Sequence, residues 1–479
     1  MKTTWLIALV LANSAATAVA YVPDDAWTTT ASGRVSAGQG ATLTWGIAED
    51  GTTISGEDPS DLVSYLDDLF SETSSSSDLT SRSWFSVFQQ SVDRWSELGG
   101  ITFVYEENDN GSMVGGSAGR LGQLADVRIA GSYNDGPSGT LAYTWLPNNG
   151  DMVIDTGETS YFSRTASDYR TFRNTVMHEL GHAIGLLHIE SDTSSLLMEP
   201  YINTTFDGPQ LDDIRGLHGL YGDVYEKAYS GQGNDTAARA TSLGLLSSGG
   251  VLGVGLDAAG DQAVAATETD FVSITDGSDI DYYSFSVDTP LEVSLTLTPR
   301  GGLFQQGVQG GTQSTFDANA RNNLSLAVYD SDGSTLLEQV DLTSAGGAES
   351  ITGLQLAASG EYFARVLGAD DSVQMYDLVI SASAMLVALA GDYNDDGLVD
   401  AADYSVWRDS QDDIGGSLAA DGDHDGDVDL ADYVVWKNGF GSSSSGSSPL
   451  AVPEPVATLL AAFGMLFARH RRRALSRGC

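Results

Sequence analysis

Between positions 178 and 188 the chain reads His-Glu-Leu-Gly-His-Ala-Ile-Gly-Leu-Leu-His, and no other segment constrains the fold as tightly. His178 and His182 are four residues apart, so on a helix they stand one turn above each other on one face. Their ring nitrogens can then converge on one cation at about 2.0–2.1 Å. Glu179 follows the first histidine and can reach a metal-bound water without being a ligand. His188 lies too far along to share that face, and Gly185 supplies the positive-φ reversal that brings it back. Three protein ligands leave a fourth position open, which distinguishes a catalytic zinc from a structural one. The spacing predicts a helix from about Asp168 to Gly185, with Asp168 as N-cap and Phe172, Val176, Leu180 and Ile184 on the buried stripe.

A bare HExxH also fits a surface helix that happens to carry two histidines. The longer pattern is more specific: the chain has six histidines, and three of them fall at these positions. Met198 follows in Leu196-Leu197-Met198-Glu199-Pro200. Together these residues resemble the metzincin metalloproteases, in which a Met-turn lies beneath the metal. Asp212-Asp213-Ile214-Arg215-Gly216-Leu217-His218-Gly219-Leu220-Tyr221-Gly222 is similar to the last helix of the matrixin branch. Ala41 to Gly46 and Phe85 to Gly99 resemble its first strand and first long helix, and Ala125 to Ile129 and Gly139 to Tyr143 its later strands. The likeness runs over about residues 40 to 222.

The resemblance implies an α+β metzincin catalytic domain that hydrolyses peptide bonds. In it His178, His182 and His188 hold zinc, Glu179 is the general base, Met198 is an apolar floor, and Gly139 to Thr144 is the edge strand that pairs with an extended substrate. There are departures. No histidine precedes His178, so the family's second zinc site cannot be carried over. Asp155 and Glu158 stand where the family often places calcium ligands, although a solvated acidic loop reads equally well. The sole cysteine is Cys479, which rules out a cysteine-switch pro-segment and any internal disulfide.

The chain has 479 residues, enough for several cores, and a net charge of −44 with three lysines. That balance excludes nucleic acid as a partner, since phosphate neutralisation needs a basic face. Residues 1–20 read as a secretory signal: Lys2, an apolar Trp5 to Ala12, then Ala18-Val19-Ala20. The catalytic domain is expected over 21–223. Period-2 apolar runs such as Val293 to Leu297 and Leu324 to Val328, with turn signals between them, predict an antiparallel β-sandwich over 224–388. Asp281 to Phe285, Val328 to Gly333 and Gly360 to Val366 resemble the bacterial pre-peptidase C-terminal domain. Asp279 and Asp281 read as a turn, with calcium binding the alternative.

Residues 389–441 hold a repeat. Asp392, Asn394, Asp396, Asp400 and Asp403 in the first copy match Asp421, Asp423, Asp425, Asp429 and Asp432 in the second, with glycine at the sixth position of each. Oxygen donors at positions 1, 3, 5, 9 and 12 suit calcium rather than zinc. The closing Asp and the helix start after each loop resemble dockerin domains, which makes this a small α-helical calcium-loop module and implies a cohesin-like or other surface partner. A Gly/Ser linker over 442–450 leads into 451–479, where Val452-Pro453-Glu454-Pro455, an apolar run and five arginines resemble the PEP-CTERM sorting signal. That likeness implies export, transient contact of the tail with the inner membrane, and an extracellular or cell-surface protein. The competing reading is a non-catalytic, calcium-dependent adhesion or scaffold protein.

Overall fold

Trp45, Leu43 and Ile47 belong to a strand, Ala41–Ile47, that is buried along almost its whole length. A strand covered on both faces belongs at the centre of a sheet. The structure, a computed structural model, describes residues 21–443 apart from 37, 117, 259–262, 386–388 and 417. In it Ala41–Ile47 is second in a five-stranded sheet, in spatial order Ile101–Tyr105, Ala41–Ile47, Val127–Ser132, Met152–Asp155, Ala142–Thr144. The first four strands are parallel, and Ala142–Thr144 runs antiparallel at the edge. Helices Phe85–Leu98 and Arg170–Ala183 pack together beneath it, and the Trp95 indole N–H donates to Met177 O at 2.9 Å.

The helix carrying the histidines begins at Arg170, later than expected. Asp168 is not its N-cap: that position is Tyr169, with φ 56° and no side-chain cap. Asp168 itself has φ 56°, so the run up to the helix is left-handed and cannot present a capping carboxylate. The helix ends at Ala183 because Gly185, at φ 106°, reverses the chain. A Cβ at Gly185 would stand 2.8 Å from Asp25 O. Two carbonyls freed at this end find partners, Ala183 O from the Trp27 indole N–H at 2.7 Å and Ile184 O from the Tyr221 hydroxyl at 2.8 Å.

Helix Leu211–Tyr221 closes this half, and a β-sandwich follows in the same compact unit, which extends to Ser383. One sheet has the order Thr241–Leu245, Ile280–Val287, Gly360–Gly368, Leu324–Tyr329, Leu336–Val340. The other runs Val251–Val254, Gln374–Ala384, Leu291–Arg300, Glu349–Leu356, with Val272–Ile274 also paired to Gln374–Ala384. The expectation of a wholly antiparallel sandwich needs correcting at one strand: Thr241–Leu245 pairs parallel to Ile280–Val287. The chain between them visits the opposite sheet through Val251–Val254 and so returns in the same direction. Residues from Ala384 form a second unit, in which helices Ala401–Asp409 and Leu430–Gly439 each follow an acidic loop and bury Tyr393, Trp407, Ala420 and Val428. The signal at 1–20, most of the linker and the sorting tail at 451–479 lie outside the described residues. Among the described residues, no helix is long and apolar enough to cross a membrane.

Candidate metal centre and active site

The helix places His178 and His182 one turn apart, and the reversal at Gly185 returns His188 to face them. His178 Nε2 and His182 Nε2 each lie 3.1 Å from His188 Nε2. Ligands at about 2.0–2.1 Å from a tetrahedral zinc stand about 3.3–3.4 Å from one another. The three rings therefore already have the spacing of a shared cation. Their outer nitrogens are engaged as well, His178 Nδ1 with Leu197 O at 2.7 Å and His182 Nδ1 with Leu186 O at 2.6 Å. A carbonyl can only accept, so each Nδ1 carries the proton and each Nε2 presents a lone pair inward. Burial holds both imidazoles neutral, pushing His182 down to about 4 and His178 well below its ordinary range. Neutral lone pairs facing one another fit a zinc ion.

Glu179 lies beside this cluster, 6 % exposed, and its Oε2 accepts from the Thr144 hydroxyl at 2.8 Å. Burial pushes its carboxyl up to about 7, against the pull of that hydrogen bond. Thr144 ends the edge strand, and the edge strand and rings open onto one cleft of about 910 Å³. Tyr143, Thr144, Pro200, Tyr201 and Ile202 are among the residues that line it.

Met198 is 2 % exposed and lies under the histidine helix. Its loop is held from below by Asp213, whose carboxylate accepts from the backbone N–H groups of Leu197, Met198 and Gln210 at 2.8, 3.1 and 2.8 Å. Burial pushes this carboxyl up to about 7. The bond to Gln210 is the local capping of its own helix, but the hold on Leu197 and Met198 was not legible in the chain, because that loop is brought near only by folding.

The acidic pair Asp155 and Glu158 is not a solvated loop. Both are 1 % exposed and serve as backbone acceptors. Asp155 takes N–H groups from Asn134, Asp135, Gly136 and Gly157, and Glu158 takes that of Gly139. Asp279 and Asp281 likewise do more than form a turn. Asp279 follows one, but Asp281 sits in strand Ile280–Val287, and carboxylate oxygens of Glu226, Asp279 and Asp281 gather within 4.8 Å of one another. Asp281 Oδ1 there is buried and has no hydrogen-bond partner. Burial pushes Glu226 up to about 9 and Asp279 up to about 6.

In the C-terminal repeat, carboxylate oxygens of Asp421, Asp423 and Asp432 lie within 4.8 Å of one another. Asp403 and Asp432 are buried and accept backbone N–H groups from their own loops, as from Tyr393 and Gly422. Asp400 and Asp429 cap the helices that follow. Asp392 Oδ2 accepts from Gly397 N, and Asn394 Nδ2 donates to Asp396. Asp425 Oδ1 accepts from Asp427 N.

Residues 68–222 match the family model described as Matrixin. This region is 35% identical over 155 residues to the hatching enzyme of Paracentrotus lividus, covering 30% of this chain and 23% of that protein. It is 36% identical over 112 residues to human neutrophil collagenase, covering 20% and 23%. The chain thus spans about a quarter of the length of these two relatives. The similarity is thus to zinc metalloendopeptidases of the matrixin type. Among solved structures, the pre-peptidase C-terminal domain of a Bacillus anthracis collagenase is 11% identical, with a TM-score of 0.17, and covers 30% of this chain and 96% of that one. A score of that size carries no weight for the fold.

Proposed function

We propose that this protein is an exported zinc endopeptidase that cuts extended segments of extracellular proteins. The observation that carries the reading is the convergence of three Nε2 atoms beside a buried carboxylate in an open cleft. His178, His182 and His188 would hold the zinc. When bound, the ion supplies Lewis acidity, lowering the pKa of water toward about 7 and polarising the scissile carbonyl.

The chain's own residues do the rest. Glu179 takes a proton from the attacking water at its carboxylate and delivers it to the leaving amine. A carboxyl raised to about 7 is suited to both halves of that transfer near neutral pH. Thr144 holds Oε2, which leaves the other oxygen for the water. The free edge of Ala142–Thr144 offers backbone groups to a substrate strand, fixing the scissile bond by β-augmentation. Met198 gives the rings an apolar floor.

Three further assignments are proposals from sequence. They are secretion directed by residues 1–20, calcium in the repeat at 389–441 with a surface or cohesin-like partner, and processing of a PEP-CTERM-like tail. The β-sandwich is proposed to be pre-peptidase C-terminal-like, on its motifs alone. The direct test incubates the purified protein and zinc with a library of peptides from denatured proteins and maps the cuts. Cleavage that chelator abolishes and zinc restores is expected; cleavage indifferent to chelator would sink the assignment.

A further inference from the structure

We infer that Gln309, a residue of the β-sandwich, orients the third zinc ligand, so that the sandwich completes the metal centre. The inference rests on the zinc reading above. Each of the three imidazoles needs an acceptor on its outer nitrogen to fix tautomer and ring direction. For His178 and His182 that acceptor is a backbone carbonyl of the matrixin domain itself. For His188 it is a side chain 121 residues further on: His188 Nδ1 lies 2.9 Å from Gln309 Oε1. With Nε2 turned toward the other two rings, Nδ1 carries the hydrogen, and the amide must present its oxygen.

The contact is set by sheet register. Strand Leu303–Val308 leaves the sandwich and pairs antiparallel with Ile189–Ser191, matching Ile189 to Val308, Glu190 to Gly307 and Ser191 to Gln306. His188 immediately precedes the first of these strands' paired residues and Gln309 immediately follows its partner, so the same register sets the two opposite each other. Pairing with Ser314–Asp317 makes Leu303–Val308 the middle of a three-stranded sheet. Beyond Val308 the chain turns at once: Gly311 N donates to Val308 O at 2.8 Å, and Gly310 takes φ 70°. That places Gln309 at the second position of a tight turn whose third position requires glycine.

Further contacts fix the hairpin on the matrixin domain. Asp192 N donates to Gln305 O at 3.0 Å, Gly310 N to Glu190 Oε2 at 3.1 Å, and the buried Gln306 amide to Asp212 Oδ2 at 3.1 Å. Asp212 is itself paired with Arg215 at 2.9 Å. A slip of one residue would turn Gln309 to the opposite face, so these contacts specify the His188 partner as well as the docking. The sandwich therefore belongs to the catalytic unit, and a form of the enzyme without it would hold His188 less firmly.

The test measures zinc affinity by chelator competition on the full chain, for wild type, Gln309→Ala and Gln309→Glu. Loss of an outer partner of a ligating histidine weakens metal binding by about 10- to 100-fold, and that loss is expected for Gln309→Ala. Gln309→Glu still accepts from Nδ1–H and should bind zinc at least as tightly as wild type. The visible spectrum of the cobalt(II)-substituted protein should change in Gln309→Ala and return in Gln309→Glu, while the metal-free unfolding temperature stays level across the three. Zinc affinity and cobalt spectrum unchanged in Gln309→Ala, with wild type loading one zinc, would overturn the role of Gln309 alone. Wild type that takes up no zinc would overturn the zinc reading and this inference with it.

Discussion

Met198 lies directly against the backbone of Gly181, so closely that a methyl group on Gly181 would stand 2.3 Å from the methionine sulfur. Gly181 is the residue before His182 on the histidine helix, and Asp213 holds the Met198 loop from the other side. Floor, helix and ligands thus form one packed layer. A change at Gly181, Met198 or Asp213 would be felt at the histidine cluster although none of the three is one of its ligands.

Gly181→Ala tests the layer. The added methyl has nowhere to go between Met198 and Trp95, whose ring would lie 3.4 Å away. Overpacking of this kind costs about 1–3 kcal/mol. The unfolding temperature of the metal-free protein is expected to fall, and zinc affinity with it. An unfolding curve that superimposes on wild type would show that the loop yields freely.

Glu179→Gln separates metal binding from proton transfer. The amide is nearly isosteric and can still take the Thr144 hydroxyl, but it cannot accept a proton from water. One bound zinc per chain and turnover reduced by about 10²–10⁴-fold are expected. Metal analysis and peptide hydrolysis on the same sample check both, and full turnover would remove Glu179 from the mechanism.

The acidic cluster at Glu226, Asp279 and Asp281 predicts an unusual dependence of stability on pH. In an unfolded chain these carboxyls titrate near about 4. In the fold, burial first and neighbouring carboxylates second raise Glu226 to about 9 and Asp279 to about 6, and raise Asp281 as well. The folded state binds these protons more tightly. Its advantage is complete below about pH 4 and is lost as pH climbs through about 6 toward about 9. Asp213, raised to about 7, acts in the same direction. In chelator the unfolding temperature should therefore fall between about pH 5 and pH 8. Calcium added near pH 8 should restore it, because the cluster offers carboxylate oxygens, and Asp281 Oδ1 is buried without a hydrogen-bond partner. A flat or rising profile without metal would contradict the argument.

The C-terminal repeat should order around calcium. Asp421, Asp423 and Asp432 gather their oxygens, and Asp421 Oδ1 is buried without a hydrogen-bond partner. Calcium is expected to protect residues 421–432 from limited proteolysis, and Asp421→Ala to abolish that protection while leaving peptide hydrolysis intact. Equal cleavage with and without calcium would leave these residues as a solvated acidic loop.

Features encoded by spacing over a few residues could be read from the chain. The i, i+4 histidines, the reversal at Gly185 and the alternation in Val293–Leu297 all follow from local periodicity or a single glycine, whereas the edge strand, expected over Gly139–Thr144 from the family resemblance, is confined to Ala142–Thr144. Asp168 misled because a capping residue type says nothing of whether the backbone arriving there is extended or, as here, left-handed. Asp155 and Glu158 misled because acidic loops are solvated on average, whereas these two are enclosed by the N–H groups of neighbouring turns.

The amino-acid sequence alone determined the chemistry on offer: two imidazoles and a carboxylate at helical spacing with a third imidazole beyond a glycine, an oxygen-rich repeat, and strands whose apolar face alternates. Only the tertiary structure decided who supports that chemistry. Asp213 beneath Met198, Gln309 behind His188, and Glu226 beside Asp281 are pairs that lie on different elements of the fold. Such pairs are set by how sheets and helices pack, and packing depends on the shape of the whole fold, to which no short window of residues has access.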